Sequence, residues 1–163
     1  MSITYYPDLL QGSDEWLAAR CGLLTASEIK HILTPTLKPA ANDKTRAHMW
    51  ELAAQRITRY VEPAYIGDNQ MRGYDDELRA RELYAEKIAP VRTMGFITND
   101  RWGFTLGYSP DGLVGDDGLI ECKSRRQRFQ IQTIVEDIVP ADFWFQCQAA
   151  LLILSLIHIS EPT

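Results

Sequence analysis

Asp111, Glu121 and Lys123 are the residues whose types and spacing could do chemistry together. Asp111 sits in the turn Ser109-Pro110-Asp111-Gly112, and Glu121-Cys122-Lys123 follows on a short β-rich segment. Side chains alternate faces along a strand, so Glu121 and Lys123 are expected to point one way and Cys122 into the core. Two carboxylates converging at a strand end suit Mg²⁺, a hard ion that takes a few carboxylate oxygens plus water and substrate phosphate. Such an ion polarises a phosphoryl group and activates a bound water. A lysine beside it can orient or deprotonate the attacking water and balance charge on phosphorus. Glu-x-Lys alone also fits an ordinary surface pair. The Pro-Asp turn upstream makes the metal site the preferred reading.

These groups need elements to hold them. Ser13 followed by Asp14 and Glu15 predicts a helix start, with Gly22 as the glycine beyond its end. Thr25-x-x-Glu28 is a capping-box pattern for a short helix that must stop before Pro35. Thr34 to Asn42 reads as a loop. From Asp43, the series Ala47, Trp50, Ala54, Ile57 and Val61 predicts a helix with Pro63 beyond it. Another is expected from about Asn69 to Ala89, carrying Tyr74, Leu78, Arg81, Leu83 and Ile88. Gly73 inside it costs about 1 kcal/mol relative to Ala, which predicts a close neighbour against the backbone. Val91–Ile97 and Trp102–Tyr108 read as a hairpin around Asn99-Asp100, and Leu119–Lys123 as a third strand after Gly115-Asp116-Asp117-Gly118. Pro140 introduces a last helix, Ala141 to about Ile153. The expected class is α/β (α+β).

Four ordered blocks sharpen this. They are Gln11-Gly-Ser-Asp-Glu-Trp16 with Arg20-x-Gly22 and Thr25-Ala-Ser-Glu28; Gly73-x-x-x-Glu77; Ser109-Pro-Asp-Gly-Leu113 with Glu121-x-Lys123; and Gln146-x-Gln148. Together they resemble the PD-(D/E)xK, restriction-endonuclease-like core, specifically the phage lambda exonuclease family, also called the YqaJ-type viral recombinase domain. The resemblance spans Gln11 to about Ile153. It implies that Asp111, Glu121, Glu77 and the backbone carbonyl of Cys122 hold Mg²⁺, with Mn²⁺ as a substitute, and that Lys123 assists the water. It implies a pocket for a DNA 5′-phosphate at Arg20, Ser27 and Ser109, which is sound anion chemistry. By itself Arg20 fits a helix-C-terminal cation equally well.

Gln146 and Gln148 lie about 200° apart around a helix, so one site takes only one of them, and Gln146 is the choice. In Lys123-Ser-Arg125-Arg126-Gln-Arg128, the three arginines are expected on the DNA backbone. The plain alternative for Glu77 is a solvated helix carboxylate. His31 and His48 read as surface or packing residues.

Composition sets the outer limits. The chain has 163 residues, 45% hydrophobic and 24% charged, as expected for one ordinary globular domain. Cys21, Cys122 and Cys147 form no CxxC pair, which argues against a disulfide framework or zinc ribbon. No signal peptide or membrane span is legible, so a cytoplasmic location in a bacterial host, phage- or prophage-encoded, is expected. A net charge of −5 argues against bulk electrostatic binding of nucleic acid. The family's trimeric ring around DNA offers another way to hold it. The partners implied are double-stranded DNA, a single-strand annealing protein and two further copies of the chain. The activity implied is Mg²⁺-dependent 5′→3′ exonuclease on duplex DNA. The alternatives are a PD-(D/E)xK repair endonuclease and a catalytically inactive DNA-end or annealing-protein-binding module. The final ten residues, Leu154 to Thr163, which include His158, resemble a translated transposon-type sequencing adapter. Residues 1–153 are therefore expected to be a nuclease domain, cut short of the strand and helix that follow in the family, and 154–163 a non-native tail. Removing Glu161 with that tail leaves the balance acidic.

Overall fold

A computed structural model describes residues 2–62 and 68–156. In chain order the elements are β1 (Ile3–Tyr6), α1 (Asp14–Arg20), β2 (Leu24–Thr25), a 3₁₀ helix (Ala26–His31), α2 (Asp43–Thr58) and α3 (Asp68–Lys87). Then follow β3 (Val91–Arg92), β4 (Phe96–Asn99), β5 (Leu106–Tyr108), β6 (Gly112–Val114), β7 (Gly118–Ile120), α4 (Gln127–Glu136) and α5 (Ala141–Leu154). Two small sheets result. One has the order β1-β4-β5-β2, antiparallel except for the parallel β2/β5 pair, and the other the order β3-β6-β7. The mixed α/β architecture is the one expected.

Local signals placed several elements correctly. The Ser13 hydroxyl accepts from the Trp16 N–H at 3.2 Å and starts α1. Gly22 follows its end with φ +70°. Glu28 accepts from the Thr25 N–H at 2.9 Å and from its hydroxyl at 2.6 Å, closing the start of the 3₁₀ turn. α5 begins after Pro140 and packs across that turn and across β4 and β5. The core comprises Ala26, Met94, Ile97, Leu106, Tyr108 and Leu113 with Ala149, Ala150, Ile153 and Leu154 of α5. Buried Asn99 donates to the Ile153 carbonyl at 2.7 Å, fixing α5 to the β4–β5 hairpin.

Other expectations are corrected. α2 stops at Thr58 because Arg59 turns left-handed, so Val61 lies outside it. Pro63 lies outside the described residues. Trp50 and Ile57 are exposed, and the buried residue of α2 is His48, packed 5.4 Å from the His31 ring. Periodicity here traced a face that meets no core. An alanine methyl at Gly73 would meet nothing within 4 Å, so no close neighbour explains that glycine. Trp102–Phe104 forms the turn of the hairpin rather than its strand. β7 ends at Ile120, before Glu121, and β1, β2, β6 and α4 were not anticipated.

Val91–Ile97 is two strands in two sheets, broken at Gly95. A Cβ on Gly95 would lie 1.9 Å from the Leu9 carbonyl oxygen, so backbone must move to admit it. Gly95→Ala is expected to cost about 2 kcal/mol through overpacking, read as a lower denaturant midpoint at unchanged slope. Among the described residues no helix is long and apolar enough to cross a membrane. α5 closes on Ser155 in a left-handed turn with Leu154 buried, and residues 157–163 lie outside the described residues.

Candidate active site

The chain leaves the first sheet at Tyr108 and enters the second at Gly112, and the turn between them carries Ser109, Pro110 and Asp111. This seam opens into a cleft of about 730 Å³ that α1, the 3₁₀ turn, α3 and α5 also line. Gln11 donates to the Pro110 carbonyl at 3.2 Å, and the Trp16 indole donates to the Ser109 hydroxyl at 3.0 Å. Arg81 of α3 reaches the Asp111 carbonyl at 3.3 Å. The turn is therefore held from both sides before any ligand arrives.

One end of the cleft is carboxylate-rich. Asp111 Oδ2 accepts from the Cys122 N–H at 2.6 Å and lies 3.8 Å from Lys123 Nζ. Glu121 Oε2 accepts from Lys123 Nζ at 2.8 Å and from Gln146 Nε2 at 2.7 Å, and Oε1 accepts from the Tyr108 hydroxyl at 2.6 Å. Glu121 and Lys123 thus share a side, as extended alternation predicts. Cys122 is half-buried rather than a core residue. Burial first, then Asp111 and Glu77, pushes its thiol up to about 11. Burial, reinforced by Glu121, raises the Asp111 carboxyl above its usual range despite Lys123 and the Cys122 N–H. Glu77 is raised by burial and then by Asp111. Burial pulls the Lys123 ammonium down, but Glu121, Asp111 and Glu77 outweigh it and hold the group protonated.

Among the described residues no three His, Cys, Asp or Glu side chains enclose a metal by themselves. The donor set nevertheless fits a hard divalent ion. Its side chains are carboxylates whose mutual repulsion Lys123 offsets only in part, since Asp111 and Glu77 stay raised, and Mg²⁺ asks of a protein only one or two carboxylates when phosphate and water complete its shell.

The other end holds an arginine beside several hydroxyls. The Arg20 guanidinium lies 4.2 Å over the Trp16 ring, 3.4 Å from the Thr25 hydroxyl and 3.8 Å from Glu28. The Thr25 and Ser27 hydroxyls are 3.3 Å apart, and Ser27 and Ser109 line the same cleft. Arg20, Ser27, Ser109, Glu77, Asp111, Lys123 and Gln146 are thus brought together, with Glu121 held between Lys123 and Gln146. The arginine run is not. Arg125 turns toward α4, donating to the Phe129 carbonyl at 3.0 Å and to the Thr133 hydroxyl, while Arg126 and Arg128 are exposed away from the cleft lining. Sequence reasoning gave no place in the site to Trp16, Thr25, Tyr108 or Arg81. Trp16 and Thr25 stand inside quoted blocks, where Thr25 reads as a helix cap, but the Tyr108–Glu121 and Arg81–Asp111 bonds span 13 and 30 residues and leave no local pattern.

Residues 15–155 match the model of the YqaJ-like viral recombinase domain. Among solved structures, the chain is similar to an alkaline exonuclease from Laribacter hongkongensis, with 32% identity and a TM-score of 0.74 over 86% of this chain and 68% of that one. It is likewise similar to LHK-Exo in complex with dAMP, at 33% identity and TM-score 0.74, covering 88% and 69%. Among curated proteins none matches.

Proposed function

This chain belongs to the YqaJ-like viral recombinase domain family and is a nuclease related to alkaline exonuclease, and from that premise we propose that it is a Mg²⁺-dependent 5′→3′ exonuclease on duplex DNA. The observation that carries the reading is one turn with two functions. Ser109 faces the arginine end of the cleft and Asp111, two residues on, the carboxylate end. A terminal 5′-phosphate held by Arg20, Ser27 and Ser109 sets a neighbouring phosphodiester beside Asp111, Glu121 and Lys123.

Asp111 and Glu121, with Glu77 and the Cys122 carbonyl, would hold Mg²⁺ or Mn²⁺, which when bound supplies Lewis-acid polarisation of the phosphoryl group and a more acidic water. The protein's own groups do the rest. Arg20 fixes the end of the strand, which replaces a bimolecular encounter by a positioned one. Lys123, charged and hydrogen-bonded to Glu121, orients the attacking water and offsets charge developing on phosphorus. Gln146 and Tyr108 hold Glu121 against that charge. Exposed Arg126 and Arg128 are proposed to meet the DNA backbone further out. A homotrimer and a single-strand annealing protein are the partners proposed. Exposed Met49, Trp50, Ile131, Ile134 and Val135 on α2 and α4 give apolar surface for such contacts.

Linear duplex bearing 5′-phosphates is expected to disappear only when Mg²⁺ is present, releasing mononucleotides and leaving 3′ single strands. No Mg²⁺-dependent loss of that substrate would sink the proposal. Cutting of covalently closed circles would move the chain to the endonucleases.

A further inference from the structure

Tyr108 is a buried phenol on the central strand β5, and its hydroxyl meets the cleft through Glu121 Oε1. A carboxylate offers about four lone-pair positions. In Glu121, Lys123 and Gln146 take two on Oε2 and Tyr108 takes one on Oε1, so one remains, on Oε1. We propose that Tyr108 is a positioning residue, whose hydroxyl bond fixes the Glu121 carboxylate so that a single, defined oxygen valence is left for a divalent cation. The inference rests on the functional reading above, because it presumes that Glu121 is a cation ligand.

Three features give Tyr108 this capacity. The phenol is buried and its hydroxyl donates to Glu121 Oε1 at 2.6 Å, so its proton points toward the carboxylate. The ring is locked among core residues on a strand paired on both edges, so the hydroxyl does not travel. Glu121 lies one residue beyond the end of β7, where no ladder bond fixes it, and its side chain needs an outside reference. Gln146 and Lys123 are partly exposed and less constrained than the buried phenol.

The test is a Mn²⁺ titration of the DNA-free protein followed by electron paramagnetic resonance, which needs no turnover. Tyr108→Phe keeps the ring and removes only the donor. It is expected to weaken Mn²⁺ binding at least about tenfold, the usual effect of losing an outer-shell partner. In a Glu121→Gln background the same change is expected to leave the residual affinity unaltered, because the bond has no carboxylate to fix. Wild-type affinity in Tyr108→Phe, or an equal loss in both backgrounds, would overturn the inference. The circular dichroism melt of each variant separates a folding defect from a binding one. A wild-type chain that neither binds Mn²⁺ nor degrades DNA would overturn the functional reading as well. A wild-type chain that does both, beside an unaffected Tyr108→Phe, overturns the role of Tyr108 alone.

Discussion

Lys123→Ala is expected to lower the rate of phosphodiester hydrolysis by about 10² to 10⁴, the range for losing a positioned proton-handling or charge-stabilising group. The ammonium is the nearest cation to both carboxylates, 2.8 Å from Glu121 and 3.8 Å from Asp111. Its loss removes the donor that would face the attacking water and leaves two neighbouring carboxylates without the cation bonded between them. Because the side chain is part of the cleft rather than the core, the fold is expected to survive, and the loss should fall on turnover with DNA affinity little changed. Lys123→Arg is not expected to restore activity. A planar fork cannot occupy the place of a compact ammonium bonded to Glu121. Single-turnover release of acid-soluble nucleotide, with a thermal melt alongside, measures this. A rate within threefold of wild type would remove Lys123 from the chemistry.

Arg20→Ala is expected to abolish discrimination between ends. With the guanidinium present, a 5′-phosphorylated duplex should be degraded much faster than a 5′-hydroxyl one. Truncating one partner of a partly desolvated charge pair costs about 2 to 4 kcal/mol, roughly 30- to 1,000-fold. In Arg20→Ala the phosphorylated substrate should fall to the rate of the unphosphorylated one, which itself should barely change. Arg20 is already oriented by Trp16 and Glu28, so it enters binding with little ordering left to do. Comparing initial rates on two duplexes that differ only in the terminal phosphate decides the matter. Equal slowing on both would reduce Arg20 to a structural cation at the end of α1.

The same residues show how far local sequence reaches. Ser13, Gly22, Thr25, Glu28 and Pro140 act through hydrogen bonds and dihedral preferences a few residues long, and the elements they predict are present. Asp111, Glu121, Lys123 and Gln146 stood in quotable motifs, and their convergence is now a set of distances. β1 and β2 were illegible because an edge strand and a two-residue parallel pairing take their identity from the strand beside them. The face predicted for α2 failed for a related reason: Trp50 and Ile57 satisfy a helical period, but the core lies elsewhere. Gly73 misled because a missing side chain signals either crowding or open space, and here there is space. The arginine run gave charge without direction, and Arg125 spends its donors on α4.

The turn between the sheets has a kinetic consequence. Its supports come from far along the chain: Gln11 reaches Pro110, Trp16 reaches Ser109, and β1 pairs with β4. Glu121 gains its last partner only from α5, at Gln146. Contacts of such high sequence separation must pay loop-closure entropy before they return any stability, which slows folding. A ribosome making this chain therefore holds a cleft without its final donor until α5 has emerged. Within the nascent chain, the bond from Gln146 to Glu121 is the last of these contacts to form.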